Sequence, residues 1–357
     1  MRAAELFDAR LLVVTGKGGT GKTSVAAALA VAAAAKGHEV LLAEVEGRQG
    51  LARLFDLPAL EHEESPLTTP EDEDTGTVTG LAVDPRIALR EYLDHAGVAV
   101  LGGLLDKAGL VDVVTAAAPG LGDALLVGKL GETAMRAADG RPAYDLVILD
   151  APPSGRVVPF LRAPASVAGL ARYGPLAGDA DRVAKLLEDP ARTRVVLTTL
   201  PEALPVAETG QTARELAEAG IAVGLVVANS VTPAASGLDD SARLDQLAAD
   251  PEPLLAAAGR AGLRLDPTAV AALVAEGVGR TRRRDAEQRH LDGLRQTLGT
   301  EIVELPVLPG GVPDADAVRV LARHLAGVGP RRMKPEPPGP LQLEAPKMLP
   351  PPPGEHS

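Results

Sequence analysis

The chain has 357 residues, a formal charge of −12 and 46% hydrophobic residues, of which few are aromatic. That length holds one large α/β domain with an insertion. Three Tyr, three Phe and no Trp offer no stacking platform for single-stranded nucleic acid, and the acidic balance opposes a phosphate backbone, so nucleic acid is excluded as a partner. The absence of Cys excludes disulfides, thiolate metal sites, iron–sulfur clusters and cysteine nucleophiles.

In chain order, Met1 to Arg10 carries charges and no apolar run, so no signal peptide is expected and a cytoplasmic location is. Short runs at Leu11–Thr15, Val40–Val45, Leu146–Leu149, Val195–Thr199, Ile221–Ala228 and Ile302–Leu305 are apolar almost without alternation. Strands of a parallel sheet covered on both faces need that pattern. Ser24–Lys36, Val206–Ala219 and Asp314–Ala326 read as helices between them. The alternation predicts an α/β fold, a doubly wound, mostly parallel sheet with ligands at the carboxyl ends of its strands.

Between Pro85 and Asp139 apolar clusters recur at helical spacing with no strong strand, which predicts a helical insertion subdomain at about 85–140, joined by a helix-rich stretch at about 160–190. Leu and Val in Val98–Leu130 form either an apolar groove or the core of that subdomain. Glu61–Glu64 and Glu71–Asp74 read as solvated loop acids. The uncharged stretch from Ala219 to Leu238 is broken by Asn229, Ser230, Thr232, Pro233 and Ser236, so no direct membrane insertion is expected. Residues 331–357 are Pro-rich and expected to be a disordered tail. The six His, at 38, 62, 95, 290, 324 and 356, show no metal-ligand spacing and read as surface or core residues.

Leu11-Leu12-Val13-Val14-Thr15-Gly16-Lys17-Gly18-Gly19-Thr20-Gly21-Lys22-Thr23-Ser24 is a strand running through a glycine loop into an Ala-rich helix, and it fits G-x-x-x-x-G-K-[ST] in full. Glycines let backbone N–H groups converge on phosphate oxygens, and the helix N-terminus adds its dipole. The pattern predicts a P-loop NTPase in which Gly16, Gly18, Gly19 and Gly21 cradle ATP, Lys22 meets the β- and γ-phosphates, Thr23 coordinates Mg²⁺, and Thr20 and Ser24 line the loop. Tyr144 to Asp150 reads as a buried strand ending in a carboxylate, which makes Asp150 the second candidate for the metal.

Lys17 in Lys-Gly-Gly-x-Gly-Lys-Thr resembles the deviant Walker A loop of the group containing ArsA, MinD, ParA and the nitrogenase iron protein. The resemblance implies a dimer in which Lys17 reaches the nucleotide of the other subunit. Glu44-Val45-Glu46-Gly47-Arg48 is similar to the ArsA-type switch that usually reads Asp-Pro-Ala, which places Glu46 where a carboxylate orients the attacking water. Ala151-Pro152-Pro153-Ser154-Gly155-Arg156 after Asp150 resembles the family's second switch, with Arg156 in place of His. Arg156 suits either a phosphate, a neighbouring subunit or a surface salt bridge. Leu200-Pro201-Glu202 with Glu208-Thr209 looks like the family's Pro-Glu…Glu-Thr stretch, Asn229 stands where the family reads adenine with an Asn amide, and Leu305-Pro306-Val307-Leu308-Pro309 resembles the loop over the base. By that resemblance Asn229, Pro306 and Val307 join the nucleotide site.

The likeness to the ArsA-type family, which holds the arsenical-pump and tail-anchored-protein-targeting ATPases, covers about residues 10 to 326, so residues 1–330 are expected to be one ATPase unit. It implies ATP hydrolysis with Mg²⁺, and a homodimer or a heterodimer with a related ATPase that serves a membrane-protein partner or client. Without Cys, neither the thiol-dependent arsenite activation nor the zinc-clamped dimer of those relatives is expected. The alternative is a weakly hydrolysing regulatory subunit beside a related ATPase, to which Glu46, Gly47 and Arg156 point. A MinD- or ParA-like positioning role fits less well, because no basic amphipathic helix closes the chain.

Overall fold

The computed structural model describes residues 3–45, 47, 49–68, 75–95, 120–138, 140–170, 175–234, 241–325 and 327. Glu46, Arg48, the acids Glu71–Asp74, residues 98–119 of the expected groove, and the Pro-rich tail lie outside the described residues. A short 3-10 helix, Ala3–Asp8, leads into strand β1, Leu11–Gly16, and helix α1, Lys22–Ala34. Strand β2, Val40–Val45, helix α2, Gly50–Leu54, and strands β3, Ser65–Pro66, and β4, Val78–Val83, follow.

Helices α3, Pro85–His95, and α4, Leu121–Met135, precede a two-strand hairpin of β5, Ala137–Ala138, and β6, Arg141–Pro142. The second half runs through β7, Leu146–Asp150, α5, Ser154–Leu170, α6, Pro175–Glu188, β8, Thr193–Thr199, α7, Ala203–Glu218, and β9, Val223–Val231. It closes with α8, Ser241–Ala249, α9, Glu252–Arg260, α10, Pro267–Leu298, β10, Ile302–Pro306, and α11, Ala315–His324.

Eight strands form one sheet in the order β10-β9-β8-β1-β7-β2-β4-β3. All neighbours are parallel except β3, which runs antiparallel to β4. The apolar runs are buried on both faces. In β1, Leu12 and Val14 pack into one core while Leu11 and Val13 pack into the other, and β7 repeats this with Leu146 and Ile148 against Val147 and Leu149. Helices α1, α2 and α11 cover the first face. The alanines of α1 are almost all buried, because a helix without bulk can lie directly on the sheet and against α11.

On the second face stand α4, α5, α6, α7 and the last turns of α10, with Phe160, Leu130, Leu186 and Leu291 at the centre. α3 reaches α4 through Ala88, Leu89 and Leu125. Pro159 and Pro164 sit inside α5, where each removes an intrahelical hydrogen bond. The longest helix, α10, starts at Asp266, whose carboxylate accepts the Ala269 N–H at 2.8 Å, and stops at Gly299, which takes the left-handed φ of +59°. Among the described residues no helix is long and apolar enough to cross a membrane.

The strands expected from the sequence form close to the predicted positions, whereas β4 was not foreseen. Its run Val78-Thr79-Gly80-Leu81-Ala82-Val83 is interrupted by Thr and Gly, and Gly80 is needed there because a Cβ would stand 2.7 Å from the Leu67 side chain. Pairing with β2 and β3 supplies what the local pattern lacks.

Tyr144, at the entry to β7, donates to Glu64 Oε2 at 2.7 Å, with the Arg136 guanidinium 5.5 Å from the ring centroid. Burial first, then the bond to Glu64 and its charge, push the phenol up to about 12 from an ordinary 10.0. A folded-state value above the unfolded one favours the neutral phenol, so its contribution is complete below pH 10.0 and disappears as pH rises toward about 12. The urea midpoint of the wild type should therefore lose its margin over Tyr144→Phe across that window. A margin that stays constant with pH contradicts the assignment.

Candidate active site

The parallel order brings the carboxyl ends of β1, β7, β2, β8 and β9 to one edge of the sheet, where α1 begins. Gly16 ends β1 under the Thr198 backbone, and a Cβ there would stand 2.2 Å from the Thr198 carbonyl oxygen and 2.3 Å from its hydroxyl. Gly19 and Gly21 turn the loop with φ of +86° and +85°. A Cβ on Gly21 would also meet Asn229 Nδ2 at 2.2 Å. Around Gly18 and Gly19, by contrast, no described heavy atom lies within 4 Å of where a Cβ would be. The loop is thus packed on its inner side and open on its outer side, which leaves backbone at the outer side approachable by a ligand.

Lys22 opens α1 at 7% exposure, and its Nζ donates to the Lys17 carbonyl at 3.2 Å. The Thr23 hydroxyl donates to Asp150 Oδ2 at 2.6 Å, joining the first turn of α1 to the end of β7. Ser24 follows, half-buried. Thr20 is turned inward instead: its hydroxyl donates to the Lys17 carbonyl at 2.9 Å and meets the Thr198 hydroxyl at 2.7 Å, so it shapes the loop from inside. The Lys17 ammonium is bonded within the chain to Glu208 Oε1 on α7, and both side chains are partly exposed.

Asn229 stands behind the loop. Its Nδ2 donates to the Thr20 carbonyl at 3.1 Å, and its Oδ1 accepts the Ser230 N–H at 2.9 Å, with Ser230 at a φ of +59°. Glu287 of α10 holds the following turn, accepting both the N–H and the hydroxyl of Thr232 at 2.8 Å. Pro306 ends β10, and the Val307 N–H donates to the Val231 carbonyl at 2.9 Å, which brings the exposed Val307 side chain to the same edge. Arg156 lies on α5, more than half exposed, 3.2 Å from Asp123 Oδ1 of α4.

The expected switch acid, Glu46, lies outside the described residues. Its neighbour Gly47 takes a φ of +62°, closed to the proline that stands at this place in the Asp-Pro-Ala pattern, because a proline ring fixes φ near −65°. Gln49 also takes a left-handed φ, +53°, and its amide grips Leu60 twice, donating to the carbonyl at 2.8 Å and accepting the N–H at 2.7 Å. The residue missed by sequence reasoning is Glu44, 1% exposed, beside Asp150 in the β2–β7 register. The signal for it was a lone carboxylate inside the apolar run Leu41-Leu42-Ala43-Glu44-Val45.

These atoms make a chemically defined place: outward-open glycine backbone, an ammonium at the N-terminus of a helix, and hydroxyl and carboxylate oxygens grouped beside it. Hard oxygen donors of that kind suit a small divalent cation, and the helix N-terminus suits an anion. The anion-transporting ATPase family matches residues 9–173 and 176–246. The chain belongs to that family. It is 39% identical over 330 residues to ATPase BagA of Mycobacterium tuberculosis, an alignment covering 92% of this chain and 96% of that protein. It is 29% identical over 248 residues to an arsenical pump-driving ATPase of Acidiphilium multivorum, covering 64% of this chain and 41% of that protein. ATPase GET3B of Arabidopsis thaliana is 24% identical over 267 residues, 62% of this chain and 64% of that protein. This member of the anion-transporting ATPases is an ATPase.

The two sides of the loop differ in what they tolerate. Gly16→Ala must displace the Thr198 backbone and should lower the urea midpoint by an amount equivalent to about 1–3 kcal/mol. Gly18→Ala meets open space and should stay within about 0.5 kcal/mol of wild type. Equal midpoints for the two variants would contradict this packing.

Proposed function

We propose that the protein is an ATP-switched subunit that binds ATP at Gly16–Ser24 and hydrolyses it to drive a transport or client-targeting partner. The observation that carries the reading is the Thr23 to Asp150 hydrogen bond of 2.6 Å at the open side of the glycine loop, with Lys22 at the start of α1. Backbone N–H groups of Gly18, Gly19 and Gly21 hold the triphosphate, Lys22 neutralises its β- and γ-oxygens, and Ser24 lines the start of the helix. Thr23 and Asp150 hold Mg²⁺, whose chemistry is to neutralise charge developing on the phosphate oxygens. Asn229 and the Pro306–Val307 segment border the adenine, and Glu46 orients the attacking water.

Lys17 acts across a subunit boundary. In the isolated chain it rests on Glu208, and a partly exposed ion pair of this kind contributes only about 0.2–1 kcal/mol. A cation supplied in trans to a phosphoryl transfer accelerates it about 10³–10⁵-fold. The stronger attraction is to the transferring phosphate, so Lys17 leaves Glu208 when a second subunit presents its nucleotide. Homodimer and heterodimer with a related ATPase both satisfy this geometry. The relatives' names, a pump-driving ATPase among them, support a membrane-protein partner.

Gly47 favours the second reading, a weakly hydrolysing subunit of a heteromeric complex. Its positive φ sends the switch backbone along a path the usual proline cannot take, which alters how Glu46 is presented. Lys22→Ala should abolish detectable nucleotide binding in calorimetry. Lys17→Ala should bind normally yet turn over at least about a thousandfold more slowly, a loss within the range for a cation supplied in trans. Unchanged turnover in both variants would remove the mechanism. Mass in solution with and without ATP and Mg²⁺, with the chain alone and with co-purifying subunits, separates the readings: a homodimer that hydrolyses supports the first, and turnover only beside a second ATPase supports the other.

A further inference from the structure

We propose that Glu44 is a second carboxylate of the divalent-cation site beside Thr23 and Asp150, an inference that rests on the nucleotide-binding reading above. The position follows from register. Ala43 and Leu149, paired across β2 and β7, point into the core opposite α1, so the next pair, Glu44 and Asp150, points to the face that carries α1. The two carboxylates therefore stand on neighbouring strands at the same height and on the same side, and Thr23 reaches one of them directly.

Glu44 is not a solvated loop acid, and among the described residues it is not half of an ion pair. It is 1% exposed. Its Oε2 accepts the Leu51 N–H at 3.1 Å, but its Oε1 is buried with no hydrogen-bond donor among the described residues. A buried carboxylate oxygen without a donor is costly, and a cation is the partner that most reduces that cost.

Gly50 marks where the space lies. A Cβ there would be 3.6 Å from Thr23 Oγ1 and 3.7 Å from Glu44 Oε2, with Thr23 Cγ2 at 3.0 Å, so the Thr23 hydroxyl and the Glu44 carboxylate both border the start of α2. The hydroxyl and two carboxylates are hard oxygen donors, the set that Mg²⁺ and Mn²⁺ take. The bond from Leu51 also ties the cation site to α2, directly after the switch segment.

If Glu44 served only to anchor Leu51, Gln would replace it, since a side-chain carbonyl accepts the same N–H. The experiment is calorimetry of ADP binding with and without Mg²⁺, repeated with Mn²⁺ followed by electron paramagnetic resonance, for wild type, Glu44→Gln and Glu44→Asp. The expected result is that Glu44→Gln binds metal-free ADP like wild type and loses about 10–100-fold of the tightening that Mg²⁺ confers, the usual loss when a supporting residue of a metal site is changed. If Glu44→Gln does not fold, Glu44→Asp decides, because the shorter carboxylate withdraws from the site and should show the same loss. Full Mg²⁺ tightening in either folded variant overturns the proposal while leaving the nucleotide site intact. Wild-type protein that binds no ADP under any condition overturns the nucleotide-binding reading itself.

Discussion

β1 leaves the sheet at Gly16 with no room for a side chain, because the Thr198 backbone of the neighbouring parallel strand occupies that place. The candidate site at this edge is built around this contact. It fixes the height at which the chain turns, and the Thr20 and Thr198 hydroxyls lock the turn from inside through contacts with one another and with the Lys17 and Thr15 carbonyls. It also fixes where α1 starts, and so where Lys22 and Thr23 are presented to Asp150. Because β1 lies between β7 and β8, one turn reads both neighbours: Asp150 from one side and Thr198 from the other. A strand at the sheet edge would lack one of those walls.

The same edge gathers several charged side chains within the buried part of the fold. Lys22, Glu44 and Asp150 are all buried there, and Lys17 and Glu208 stand half-exposed nearby. Burying an ionised group costs several kcal/mol unless it is compensated, so such a concentration is tolerated where a charged ligand completes it. Glu287 shows the contrasting case. It too is buried, and both of its oxygens accept from Thr232. One buried carboxylate holds a turn with both oxygens, and the other, Glu44, has one oxygen without a hydrogen-bond donor among the described residues.

Much of the fold and the loop was legible in the sequence, because both rest on local pattern. Apolar runs buried on two faces need no knowledge of their neighbours, and the glycine loop writes its function within nine residues. What was not legible depends on contacts between distant positions. Lys17 and Glu208 are 191 residues apart, and only the adjacency of β1, β8 and α7 brings them together. Thr20 reads as a loop residue, yet its hydroxyl is spent on Thr198, 178 residues away. Glu44 was passed over for Glu46 because motif matching follows the family's acid, whereas burial follows the strand's alternation, which turns residue 44 toward α1. β4 was missed because Gly80 and Thr79 break its local run, and its partners rather than its composition make it a strand.

A continuous set of hydrogen bonds links the switch segment to the helices on the other side of the sheet edge. Gln49 grips Leu60, two residues before His62, whose side chain is buried and whose Nδ1 accepts the Asp84 N–H at 2.9 Å. With Nδ1 used as acceptor, Nε2 carries the hydrogen and faces Glu91 of α3 at 3.4 Å. Burial, the largest single influence, works to raise the Glu91 carboxyl, but Lys129 of α4, at 2.8 Å, and His62 together outweigh it and hold the group below its ordinary value. Each bond joins a different element, so a shift of the backbone at Gln49 has to be absorbed by Leu60, then by the Asp84 turn, then by the α3–α4 pair. Gly47 and Gln49, both at positive φ, stand at the end of this path beside Gly50, which borders Thr23 and Glu44.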